Sequence, residues 1–153
     1  FRYVHPNQSS LDLGLADAIL QQRIKPDLDH FVATAFEEAA ITFTGRLAQA
    51  GELDFVPERI GGWWNRDAEI DVLAINLFEK IAFVGECKWT VHPVGASVLD
   101  ELKQKAGAMM KDYEIKKVQF ALFSRSGFTS ELEDQSMRGD LALFTVDSLV
   151  NRV

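Results

Sequence analysis

Two apolar runs only four residues apart constrain this chain more than any other feature. Residues 69–76 read Glu-Ile-Asp-Val-Leu-Ala-Ile-Asn and residues 81–89 read Ile-Ala-Phe-Val-Gly-Glu-Cys-Lys-Trp, with Leu77-Phe78-Glu79-Lys80 between them. That spacer has the length of a hairpin loop. Apart from a few charges, both runs are apolar at successive positions, the mark of strands covered on two faces. Such a sheet needs helices on both sides. One is predicted over residues 28–50, where Phe36, Ala40, Phe43 and Leu47 recur at helical spacing before Gly51. A second carries Leu99, Leu102, Ala106, Met109 and Tyr113 on one stripe, with Ser97 as its expected cap and Asp100, Glu101, Gln104 and Lys105 on other faces.

The remaining segments complete the pattern. A short helix is expected over residues 11–24, broken at Lys25-Pro26-Asp27. Residues 53–64 read as a strand that bulges at Gly61-Gly62, residues 117–123 and 141–146 as further strands, and Ser130 with Glu133 as the capping box of a short helix. Helix, three strands, helix, strand, helix, strand predicts a three-layer α/β/α sandwich around a central mixed sheet. At 153 residues the chain holds one sizeable core. No apolar run reaches the roughly 20 residues of a membrane helix, and no secretory leader is visible. The single cysteine, Cys87, points to a reducing cytoplasm. Phe1 stands where an initiator Met is expected, so the chain reads as a piece of something longer.

The informative charges interrupt the apolar runs. If Asn76 faces Ile81, Asp71 falls opposite Glu86 and Glu69 opposite Lys88, all four on one sheet face beside Leu73, Ile75 and Val84. At an effective dielectric of about 20, two charges about 4 Å apart repel by roughly 4 kcal/mol, so a cation is required there. Lys88 supplies one. A divalent ion held by Asp71, Glu86 and a backbone carbonyl satisfies the acids better, and oxygen ligands select Mg²⁺, with Mn²⁺ as substitute. Such an ion beside a lysine is equipment for phosphodiester hydrolysis. The bland alternative is a solvated sheet face.

These elements resemble the PD-(D/E)XK nuclease superfamily: Glu69-Ile70-Asp71, then Glu86-Cys87-Lys88. More closely, Gly61-Gly62-Trp63-Trp64-Asn65-Arg66 leading into them, and Gly85 and Trp89 around the second, resemble the nuclease-like domain at the C-terminus of archaeal-type ATPases. The resemblance implies a restriction-endonuclease-like core over residues 26–153, preceded over residues 1–25 by the tail of a winged-helix region, Phe1 to Asn7 carrying that likeness. It implies Asp71 and Glu86 as Mg²⁺ ligands and catalytic residues, Lys88 as the catalytic lysine, and Glu37, in Phe36-Glu37-Glu38, as an auxiliary acid. Ile70 stands where the family pattern often has proline. Relatives add a Lys or Gln from the following helix, for which Lys103 and Gln104 both stand open.

The implied activity is cleavage of nucleic acid, DNA first, with the ATPase and winged-helix portions of the same polypeptide as partners. The alternative is a catalytically inactive regulatory module that binds nucleic acid or protein. A net charge of −7 argues against strong DNA affinity by this chain alone. Trp63 and Trp64 could stack on bases, but neighbours in a strand point to opposite faces, so at least one belongs to the core and packing is the favoured reading. His5, His30 and His92 lack partners at ligand spacing, and Cys87 points away from the acids as a small core residue.

Overall fold

The computed structural model describes residues 5–139 and 141–151. They fall into two compact units, the first ending at Ala35 and the second starting at Phe36. The resemblance of Phe1 to Val4 to a winged-helix tail lies outside the described residues. In the first unit a 3-10 turn at His5–Asn7 leads to α1 (Gln8–Asp12) and α2 (Ala16–Ile19). Gly14, at φ 76°, breaks the expected single helix there, and the side chain of Arg23 donates to Asn7 Oδ1. The break expected at Pro26 does not occur. A π turn at Leu20–Ile24 runs straight into α3 (Lys25–Gln49), and this wider turn relieves the clash of a proline ring with the carbonyl behind it.

The second unit is the predicted sandwich. Strands β1 (Arg59–Trp64), β2 (Glu69–Asn76), β3 (Ile81–Lys88), β4 (Lys117–Ser124) and β5 (Leu141–Thr145) form one sheet in chain order. The pairings β1–β2 and β2–β3 are antiparallel, whereas β3–β4 and β4–β5 are parallel. The parallel pairs need crossovers, supplied by α4 (Ala96–Tyr113) and α5 (Ser130–Met137). Phe36, Ala40, Phe43 and Leu47 of α3 cover Val72, Ala74, Phe83 and Phe123 on one face. Leu99, Leu102, Ala106 and Met109 of α4 cover Leu73, Ile75, Val84 and Leu122 on the other. The two-faced apolar runs therefore mean what they predicted. Among the described residues no helix is long and apolar enough to cross a membrane.

Several boundaries move. Only Arg59–Trp64 of the predicted strand 53–64 pairs, because Leu53 and Phe55 are taken by the α3 core instead. Gly95, extended, caps α4 in place of Ser97, and Thr129 precedes α5, so Ser130 and Glu133 lie one position too far along for a capping box. A short helix α6 (Val146–Asn151) begins where β5 was expected to end and buries Leu149 against the α3 side.

The hairpin register is the predicted one from Val72↔Gly85 to Asn76↔Ile81. Asn76 fixes its turn, accepting from the Glu79 amide at 2.8 Å and donating to the Val56 carbonyl at 2.8 Å. The expected bulge is also present, but its extra residue is in β2. Gly61 pairs with Leu73 and Trp63 with Ile70, so Asp71 and Val72 together face Gly62. The side-chain alternation of β2 slips at that point: Ile70 packs on the α4 side and Val72, two residues on, packs on the α3 side.

Candidate active site

The bulge decides where Asp71 goes. The β2–β3 ladder stops at Val72↔Gly85, and beyond it the strands part. The Asp71 carboxylate enters the gap, where Oδ2 accepts the Cys87 backbone N–H at 2.7 Å in place of a strand carbonyl. The direct cross-strand pairs expected between Asp71 and Glu86, and between Glu69 and Lys88, are therefore not formed. Glu69 pairs with Trp64 on β1 and is exposed. Asp71 nevertheless feels Glu86 and Lys105 as well as Glu37 on α3, which places it between the two helical layers.

Glu86 is 4% exposed and held by two ammonium groups. Lys88 Nζ donates to Oε1 at 2.8 Å, and Lys105 Nζ lies 2.8 Å from both Oε1 and Oε2. A buried carboxylate without such partners would be costly, and here the two lysines supply the cation the sequence demanded. Of the open positions on the second helix, neither Lys103 nor Gln104 makes this contact. Lys105 does, from a face beside the apolar stripe. It stands three residues after Leu102 and four before Met109, flanking the buried stripe, and that spacing was the available signal.

Protonation follows from this environment. Burial pushes the Asp71 carboxyl up to about 6; the Cys87 amide opposes the rise, Glu86 and Glu37 add to it, and Lys105 opposes it. For Lys88 burial alone would pull the ammonium down. The hydrogen bond to Glu86 and the fields of Glu86, Asp71 and Glu101 outweigh burial and raise it, so Lys88 stays charged. Burial first, then Asp71, Glu37 and Glu86, push the Cys87 thiol up and leave it inert; it is part-buried on the α3 side and lies among the acids instead of pointing away from them as expected.

Among the described residues no group of three or more His, Cys, Asp or Glu side chains is arranged to hold a metal. Asp71 and Glu86 would offer an ion two carboxylates. That matches Mg²⁺, which keeps several waters and takes one or two carboxylates beside substrate phosphate. Acceptor capacity also fits. A carboxylate offers about four lone-pair sites, and the lysines use three on Glu86, two at Oε1 and one at Oε2.

Beside this site Trp63 is buried at 6% while Trp64 is 73% exposed, so the tryptophan pair divides between core and solvent. His30 and His92 are exposed and take no part.

Comparison with known proteins adds a family. A family model described as archaea bacterial proteins of unknown function matches residues 1–106, a span that includes Glu37, Asp71, Glu86, Lys88 and Lys105. An uncharacterized protein of Methanocaldococcus jannaschii is 37% identical over 89 residues, 58% of this chain and 20% of the relative. The chain thus spans about a fifth of the length of that curated relative. No solved structure matches.

Proposed function

This chain belongs to the DUF234 family, and on that premise we propose that its β2–β3 hairpin carries a Mg²⁺-dependent centre that hydrolyses nucleic-acid phosphodiesters, DNA first. The observation that carries the reading is Glu86 held by two lysines, with the Asp71 carboxylate lodged on the Cys87 amide where β2 and β3 part. Asp71 and Glu86 are the residues to hold Mg²⁺ or Mn²⁺. When bound, the ion neutralises charge on the phosphoryl oxygens and acidifies water.

The chain's own groups divide the rest of the work. Lys88, raised and cationic, cannot serve as a base at neutral pH; it steadies negative charge at the phosphoryl group. Lys105 fixes Glu86 from behind and holds its carboxylate in one orientation. Asp71 is largely ionised above its pKa of about 6, so the site becomes ligand-competent near neutral pH. Glu37 is the auxiliary acid, contributing field from α3. With a net charge of −7 the chain depends on other parts of a longer polypeptide, an archaeal-type ATPase with its winged-helix region, to deliver substrate.

Calorimetric titration of Mn²⁺ into the wild-type chain and into Asp71→Ala, followed by a divalent-dependent cleavage screen on plasmid and oligonucleotide substrates, tests this. Binding and cleavage lost together in Asp71→Ala are expected. A folded wild type that neither binds Mn²⁺ nor cuts would end the reading. One observation favours a second reading, an inactive module that binds nucleic acid or protein: Lys105 already neutralises both oxygens of Glu86. It predicts no cleavage with any divalent ion.

A further inference from the structure

Trp64 is a large apolar side chain left 73% exposed, whereas its neighbour Trp63 is 6% exposed. Nothing about its backbone is loose. It ends β1 in a pair with Glu69, and the Asn65 amide donates to the Ala68 carbonyl at 2.9 Å. Asn65 Oδ1 accepts from the amides of Asp67 and Ala68, both at 2.9 Å, which pins the tip of the β1–β2 hairpin. A rigid scaffold thus presents an indole to solvent at the head of an open depression lined by Asn65, Arg66, Asp67, Ala68 and Glu69.

The indole and the Asp71 carboxylate share a side, while Glu86, held by Lys105 of α4, lies toward the other. Trp63 packs in the α4-side core, so Trp64 and its pair partner Glu69 project to the opposite face, and Asp71 follows Ile70 on that face. Glu69 and Asp71 are two strand residues apart, about 7 Å, or roughly two steps along a stacked nucleotide strand. We infer that Trp64 stacks on an unpaired base flanking the phosphate to be cut, which makes single-stranded or locally melted nucleic acid the substrate class of this site. This rests on the phosphodiesterase reading above. The charges around Trp64 select a base over a phosphate: Asp67 and Glu69 outnumber Arg66, so an anion is disfavoured there and a neutral π-face is not. A duplex keeps its bases stacked on each other and offers Trp64 no such face.

The test measures fluorescence anisotropy of a fluorescein-labelled oligothymidylate of about 12 nucleotides, and of the matching duplex, with Ca²⁺ present to slow cleavage. Steady-state cleavage in Mn²⁺ is followed in parallel. The wild type is expected to prefer the single strand. Trp64→Ala should weaken single-strand binding about 5- to 100-fold, the worth of one stacked base, and raise KM with kcat nearly unchanged. Trp64→Phe should retain most of the affinity, because a ring still presents its face. If Trp64→Ala binds and cuts like the wild type, or the wild type prefers the duplex, this inference falls while the phosphodiesterase reading stands. If the wild type binds and cuts neither strand form, both fall together.

Discussion

At the scale of single residues the site carries its cost in Asp71. A carboxyl lifted to about 6 binds more protons in the folded chain than in the unfolded one between pH 4 and 6. Stability therefore declines as pH rises through that window and levels off above it. Asp71→Asn keeps an oxygen for the Cys87 amide and removes the charge, so it should be more stable than wild type at pH 7.5, by about 1 to 2 kcal/mol after solvent screening. At pH 4 the difference should vanish; urea melts at both values check this. The same proton competes with the ion, so Mn²⁺ affinity of the wild type should climb as pH passes 6 and be absent in the variant. Lys105 works in the opposite sense. Lys105→Met leaves the buried Glu86 with Lys88 alone and should cost about 1 to 3 kcal/mol at neutral pH, read by thermal unfolding. Lys105→Arg should recover part of the loss. A lysine among the acids was legible at Lys88, although its partner is Glu86 and not the Glu69 expected opposite it, whereas Lys105 was hidden on the shoulder of a helical stripe, where polar and buried positions adjoin.

At the scale of elements, the turn and the apolar runs made the β2–β3 register readable, since a four-residue spacer leaves few ways to close. The bulge was readable in kind but not in place. Gly61-Gly62 announce a departure from regular pairing in β1, yet the extra residue belongs to β2, where Asp71 and Val72 share the single position Gly62 opposite them. A one-residue displacement of that kind turns a carboxylate from a sheet face into the gap between strands, and no periodicity in the sequence records it. The helix caps failed for a related reason: backbone geometry at Gly95 and Thr129 settled them without a side-chain hydrogen bond. Tight packing where three strands meet also yields an expectation. A Cβ added at Gly85 would lie 2.8 Å from Phe123 Cε2 and 3.1 Å from Val72 Cβ, and Phe123 is itself stacked on Phe144. Gly85→Ala should destabilise by about 1 to 3 kcal/mol through overpacking. Equilibrium denaturation of the pair checks it, and Gly85→Ala with Phe123→Leu should restore part of the loss.

At the scale of the molecule, the sandwich was legible because two adjoining strands without a wet face leave few other architectures, and α3 and α4 supplied the covers their stripes promised. The small α6 was not, since six residues carry too little periodicity to announce a helix. The order of assembly has a consequence of its own. Asp71 and Glu86 sit on one antiparallel hairpin whose contacts are local, whereas Lys105 belongs to the crossover helix that closes the parallel β3–β4 pair. Local pairings form in microseconds and crossovers wait on loop closure. On that order the nascent hairpin brings its acids together before Lys105, which later neutralises Glu86, has docked. Refolding in a stopped-flow instrument should accelerate with added salt or Mg²⁺ at constant denaturant, while unfolding, which starts with Lys105 in place, responds less. On the proposed reading, an ion met during folding would serve as a template before it served on substrate.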